Sequence, residues 1–139
     1  MIKDDCIFCK IANGEIPSAT VYEDDYFRAI LDIAPAHKGH TIILPKQHFD
    51  NLYETDEEFA ARILPVAKKI ACAEKKVLGC DGINVLQNNE PAAGQSVFHL
   101  HVHVVPRYEN DGILPVWPQN SYEDGEAALL GKKLQEAIN

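Results

Sequence analysis

The order of apolar and polar positions divides the chain into short strands and three helical segments of unequal length. Residues 7–12 read as a short helical turn ended by Asn13-Gly14. Residues 20–23 and 26–31 read as two strands around an Asp24-Asp25 turn. After a loop over residues 34–39, the segment 40–44 is almost wholly apolar beyond its first two positions, the pattern of a strand covered on both faces, and Pro45 closes it. The main helix is predicted over residues 55–77, because Phe59, Ile63, Val66, Ile70 and Val77 recur at helical spacing on one face. Thr55 and Glu58 form a capping box at its start, Pro65 predicts a kink within it, and Gly79 is a natural stop. Residues 83–87 and 98–105 read as strands on either side of a polar loop, the second ended by Pro106. Residues 111–120, with Gly112, Pro115 and Pro118, predict irregular chain, and residues 126–138 a terminal helix broken or weakened at Gly131. Strands, one long helix and further strands predict an α+β meander.

The length, 139 residues, suits one domain spanning residues 1–139. A chain of this size buries roughly two-thirds of its unfolded surface, enough for a core without disulfides. Thirteen basic against twenty-one acidic residues give a net charge of −8, which argues against a partner held by long runs of nucleic-acid phosphate. A small anionic ligand needs only a few local donors and stays open. No apolar run approaches the length of a membrane span, and Met1-Ile2-Lys3-Asp4-Asp5 is too polar for a secretory signal, so a cytoplasmic protein with no membrane partner is expected. In that compartment the four cysteines are expected to be reduced. Cys6 and Cys9 have the spacing of half a zinc site or of a redox dithiol. No strand long enough for the redox motif precedes Cys6, and a metal there would draw its other ligands from histidine. Cys72 and Cys80 read as packed or incidental thiols.

The densest chemistry lies in Phe98-His99-Leu100-His101-Val102-His103-Val104-Val105. On a strand His99, His101 and His103 share one face and Leu100, Val102 and Val104 the other. Three readings compete: a satisfied or solvated strand face, a three-nitrogen catalytic metal site, or one nucleophilic imidazole oriented by its neighbours. The preceding Gly94-Gln95-Ser96-Val97 is flexible and rich in donors, a cradle for a phosphate oxygen. Ser96 itself lacks the surroundings of a nucleophile elbow. A phosphate-sized cradle beside aligned imidazoles points to phosphoryl or nucleotidyl transfer through histidine.

These residues resemble the histidine triad, or HIT, superfamily. His99-Leu100-His101-Val102-His103-Val104-Val105 fits its alternating motif. Cys6-Ile7-Phe8-Cys9-Lys10-Ile11, Gly14-Glu15-Ile16-Pro17, Leu31-Asp32-Ile33, Gly39-His40-Thr41, Leu44-Pro45-Lys46-Gln47-His48, Asn88-Asn89 and Gly94-Gln95-Ser96-Val97-Phe98 resemble the Hint branch in order. The likeness runs from about Cys6 to Arg107, the expected domain core, and the tail 108–139 is similar to that of bacterial HIT hydrolases.

The resemblance implies a HIT-fold homodimer with one sheet continuous across two protomers. It implies a nucleotide hydrolase or nucleotidyl transferase acting on purine nucleoside phosphoramidates or related 5′-phosphate derivatives, through a nucleotidyl-histidine intermediate and without an organic cofactor. Dinucleoside polyphosphate hydrolysis, regulatory nucleotide binding with slight turnover, and a zinc hydrolase with the whole triad on the metal are the rivals. His101 matches the nucleophile, His103 and Ser96 match phosphate-contacting groups, and His40 matches a fourth histidine near the nucleophile. Asp32 matches a ribose-binding carboxylate and Asn88 a residue beside phosphate and ribose, with Gln95 and Val97 in the substrate loop. Ile7, Phe8, Ile11, Ile30, Leu31 and Ile33 match the base pocket, Ile30 and Leu31 standing where the Hint branch often has an aromatic residue and a histidine. Bacterial relatives with this arrangement resemble zinc binders. Here that implies a structural Zn²⁺ on Cys6, Cys9, His48 and His99.

Overall fold

The computed structural model describes residues 1–113 and 117–138. Five antiparallel strands form one sheet: β1 (Thr20–Glu23), β2 (Phe27–Leu31), β3 (Thr41–Pro45), β4 (Gly82–Leu86) and β5 (Val102–Arg107). Their order is β1-β2-β3-β5-β4. The first three strands meander. The chain then crosses one face as α2 (Glu57–Leu78), enters the far edge as β4 and returns as β5, which slots in beside β3. Helix α1 (Ile7–Ala12) precedes the sheet and α3 (Glu126–Ile138) follows it.

Strand alternation sorts the side chains between two layers. Phe27, Ala29, Ile43, Val102 and Val104 face α2 and pack with Phe49, Phe59, Val66, Ala67, Ile70 and Leu100. Ile30, Ile42 and Leu44 face the opposite way, under Ala12, Phe8 and Ile11 of α1. All of β3 is buried, as its apolar run predicts. Ile42 pairs with His103 across the β3–β5 ladder, so the triad faces the α1 side of the sheet.

The long helix differs from expectation in two places. It starts at Glu57, with Asp56 as a cap lacking any side-chain bond. Thr55 is not the cap, because its hydroxyl donates to the Asn51 carbonyl at 2.8 Å. Val77 shares the heptad spacing but is 80% exposed, on the rim of a groove it shares with Val21 and Leu31 of the sheet. The helix runs on through Pro65 and stops at Gly79, whose φ of +62° is a left-handed cap. Helix α3 likewise runs through Gly131 without a break.

The largest departure is at the triad. The strand expected over residues 98–105 begins only at Val102. Before it the chain bends, because Leu100 N–H donates to the Phe49 carbonyl at 2.7 Å instead of to the ladder, and the fully buried His99 ring meets the Pro45 carbonyl at the end of β3. Residues 111–113 and 117–120 carry neither helix nor strand, as expected, while residues 114–116 of that stretch, Pro115 among them, lie outside the described residues. Among the described residues no helix is long and apolar enough to cross a membrane.

Candidate active site and metal centre

Two clusters sit side by side on the α1 face, and the bend before β5 separates them. A cavity of about 280 Å³ lies under α1, lined by Ile7, Phe8, Ile11, Ile30, Asp32, Ile33, Ile42, Ser96, Val97, His101 and His103. Next to it Cys6, Cys9, His48 and His99 converge, with their donor atoms within 4.8 Å of one another.

In the cavity, two backbone groups and one ring-to-ring bond fix the protons on the three imidazoles. A backbone N–H can only donate. Ala36 N–H reaches His40 Nδ1 at 3.0 Å, so that nitrogen carries the lone pair and neutral His40 keeps its proton on Nε2. His40 Nε2–H in turn donates to His103 Nδ1 at 2.9 Å, which places the His103 proton on Nε2. His101 is turned the other way. Its Nδ1–H donates to the His99 carbonyl at 2.7 Å, leaving the Nε2 lone pair free. The cavity wall therefore holds a nitrogen base on His101 and an N–H donor on His103, their rings 5.0 Å apart. Burial keeps both His40 and His103 neutral: desolvation lowers His40 and carries His103 down to about 4, helped by the neighbouring His101 and His40. Phe8 stands edge-on to His101 at 5.2 Å and limits the ring's freedom.

Asp32 lies at the end of β2, where its backbone N–H donates to the His40 carbonyl. One carboxylate oxygen accepts Ala34 N–H at 2.9 Å, and the other lies 3.8 Å from His40 Nε2. Asp32, His40 and His103 form a second group with metal-ligand spacing. The tautomer chain does not suit a cation there, since His40 Nε2 already bears a proton that its Nδ1 cannot take over.

Three expected substrate residues stand elsewhere. Leu31 faces the α2 side, because β2 alternation puts it on the face opposite Ile30. Gln95 is buried and fully engaged. Its Oε1 accepts Glu90 N–H at 2.7 Å, and its Nε2 donates to Asp50 O at 2.6 Å and Val97 O at 3.1 Å, so it builds the loop instead of facing the cavity. Asn88 lies beside Gly94 and is not among the residues that line the cavity. Gly94 has φ +96° and would press any Cβ to 3.4 Å from Asn88 Nδ2. The N–H groups of Gly94 and Gln95 are spent on Pro91 and Glu90 carbonyls, so of that loop Ser96 and Val97 are the residues that line the cavity.

The cysteine–histidine cluster is set by the same logic. His99 Nε2–H donates to the Pro45 carbonyl at 3.0 Å and His48 Nε2–H to Asp50 Oδ1 at 2.6 Å. Both rings thus turn Nδ1 lone pairs inward. His99 Nδ1 lies 3.5 Å from Cys6 Sγ and 3.4 Å from Cys9 Sγ, and His48 Nδ1 lies 3.4 Å from Cys9 Sγ. A tetrahedral zinc with bonds of about 2.3 Å to sulfur and 2.0–2.1 Å to nitrogen spaces S and N about 3.6 Å apart. The donor set, its spacing and its inward lone pairs fit that ion. Burial pushes the Cys9 thiol up and draws His99 down to about 4, the behaviour of a desolvated cluster that a cation would compensate. Sequence reading missed Asp50 and the Pro45, His99 and Ala36 backbone groups that fix these tautomers. Only Asp50, two residues from His48, left a sequence signal.

Residues 13–110 match the family model of the HIT domain. Adenosine 5'-monophosphoramidase hnt1 of Schizosaccharomyces pombe is 40% identical over 134 residues, covering 96% of this chain and 98% of that protein. Among solved structures, one from Streptococcus mutans superposes with TM-score 0.93 at 42% identity, over 99% of this chain and 87% of that one. A zinc-bound histidine triad family protein from Mycobacterium smegmatis superposes with TM-score 0.75 at 37% identity, over 96% of both chains.

Proposed function

The chain belongs to the HIT domain family, and from that membership we propose that it is a nucleotide hydrolase or nucleotidyl transferase working through His101. Its substrates are purine nucleoside phosphoramidates or related nucleoside 5′-phosphate derivatives, a class supported by the relative named as an adenosine 5'-monophosphoramidase. The observation that carries the reading is the His101 tautomer: Nδ1–H is held by a carbonyl while Nε2 is free on the cavity wall.

In the proposed reaction His101 Nε2 forms a bond to phosphorus as the bond to the leaving amine breaks, and the amine departs with a proton drawn from solvent. Water then cleaves the nucleotidyl-histidine, releasing the nucleoside monophosphate and returning the lone pair to Nε2. His103 Nε2–H and the Ser96 side of the loop stabilise charge on the phosphoryl oxygens, with His40 holding the His103 proton in place. Asp32 accepts from ribose hydroxyls. The isoleucines and Phe8 of the cavity receive the base. Cys6, Cys9, His48 and His99 would hold a structural zinc, which supplies a crosslink between the N-terminal segment, the turn after β3 and the bend before β5. The separate placement of His99 favours this over a zinc hydrolase with all three triad histidines on the metal. On the same reading the protein is a cytoplasmic homodimer, each chain one domain with a core of residues 6–107 and an extension of residues 108–139.

Rapid quench of the purified protein with a labelled adenosine phosphoramidate tests the mechanism. A transient protein-bound nucleotide on His101 is expected. His101→Asn should abolish it, lower turnover by roughly 10³-fold or more, and leave nucleotide affinity nearly unchanged. Near-wild-type turnover in that variant would overturn covalent catalysis.

A further inference from the structure

Two surfaces away from the catalytic cavity lack a complement, and their chemistry matches. One is a groove of about 320 Å³ beside the last turns of α2, lined by Val21, Leu31, Ile70, Val77 and Leu78 together with Lys38 and Glu74. Glu74 is buried, 7% exposed, among these apolar side chains. Its Oε1 meets the Thr41 hydroxyl at 3.2 Å, but that hydroxyl also has the Gly39 carbonyl at 2.9 Å for its one hydrogen. Among the described residues Glu74 Oε2 has no hydrogen-bond partner. Burial therefore holds the carboxyl up at about 7. A cation entering the groove would meet a carboxylate that nothing else satisfies.

The other surface is α3. No residue of it is buried, and Leu129, Leu130, Leu134 and Ile138 stand exposed. At 100° per residue the apolar sector runs from Leu129 through Ala137, Leu130 and Leu134 to Ile138, with Lys132 and Gln135 on the other side and Glu136 at the border beside Leu129. Lys133 falls inside the apolar sector, between Leu129 and Ala137. A lysine placed there loses water when the helix docks, and it then needs an acid on the receiving surface. Glu126, on the same sector seven residues earlier, faces the matching problem with the opposite sign, and Lys38 is the groove's one lysine. The arm leading to the helix, residues 117–125, is exposed throughout, and the described residues of a single chain leave the groove open.

We propose that α3 of a second copy lies along this groove, its leucine stripe over Val21, Leu31 and Val77 and its Lys133 ammonium on the free oxygen of Glu74. The inference rests on the homodimer proposed above and adds an exchange of arms to it. It has a consequence for the active site. Leu31 adjoins Asp32, and Gly39 adjoins His40, so each copy's helix would brace the strand ends that carry the other copy's ribose-binding carboxylate and fourth histidine.

Carbodiimide coupling, which joins a lysine amine directly to a touching carboxyl, tests this on the full chain. Copies of natural and ¹⁵N isotope composition are mixed, equilibrated and coupled, and amide exchange is measured in parallel. The expected product joins Lys133 to Glu74 in mixed-isotope pairs, with α3 amides protected. Lys133→Glu should remove the product and lower α3 protection by about tenfold or more, and Glu74→Gln should weaken it while preserving shape. Only same-isotope products would show the helix folding onto its own chain and overturn the exchange. Protection unchanged by Lys133→Glu would overturn the pairing. A dimer with freely exchanging α3 would overturn the docking alone and leave the homodimer standing, whereas a monomer at all concentrations would overturn both.

Discussion

Replacing Asp50 tests whether the Cys6, Cys9, His48 and His99 cluster is a metal site with engineered lone pairs. Asp50 touches none of the thiols. Its Oδ1 accepts His48 Nε2–H at 2.6 Å, which keeps the His48 lone pair on Nδ1 beside Cys9. A hydrogen bond to a charged acceptor contributes about 1.5–3 kcal/mol. Asp50 is 37% exposed and also has Lys3 at 3.5 Å, so solvent screening places its effect at the lower end. Partners of this kind alter metal affinity by about 10–100-fold, and 1.4 kcal/mol corresponds to a factor of ten. Asp50→Ala should therefore weaken zinc binding about 10–30-fold, roughly 1.4–2 kcal/mol. Asp50→Asn keeps an acceptor oxygen and should lose less. The Asp50 carbonyl that holds Gln95 belongs to the backbone and survives both changes. Zinc affinity is read by competition against a chromophoric chelator at fixed pH. An alanine variant within about twofold of wild type would show that Asp50 does not set the tautomer, and the metal reading would lose its main physical support.

Further outcomes follow from the cavity and its loop. If Asp32 accepts the ribose hydroxyls, 2′-deoxy substrates should bind worse by roughly 1–3 kcal/mol, measured calorimetrically, and equal affinities would remove Asp32 from that role. Gln95→Ala leaves the Glu90 N–H and the Asp50 carbonyl without their buried partner, so urea unfolding should show a loss of about 2–4 kcal/mol; a loss below about 1 kcal/mol would mean the loop is held by other bonds. His103 sits near 4 in the fold against an ordinary 6.5, so its neutral form contributes stability that is whole above pH 6.5 and is lost as pH falls from 6.5 towards 4. His103→Gln should flatten the acid limb of the urea-midpoint curve, and parallel curves for variant and wild type would refute the burial argument.

The candidate chemistry was legible in the residues because the metal and phosphate chemistry proposed here needs particular side chains in particular order. The alternating histidines, the Cys6/Cys9 pair and the apolar run of β3 each carry a pattern that composition does not produce by chance. Helices 7–12 and 126–138 were likewise readable, since caps and periodicity are local. What the sequence could not set was which face each side chain reaches once the chain bends. Strict alternation puts His99 beside His101 and His103. The structure takes it out of that row, because Leu100 pairs with Phe49 across fifty residues of chain and His99 finds the Pro45 carbonyl. Leu31 and Gln95 carry polarity and size that suit a substrate wall, yet β2 pleating turns one toward α2 and three hydrogen bonds hold the other inside its loop. The proton on each imidazole was equally invisible. For His40, His99 and His101 it depends on the Ala36 N–H and the Pro45 and His99 carbonyls, backbone groups that carry no sequence signature. Only the tertiary fold decides which of them an imidazole meets.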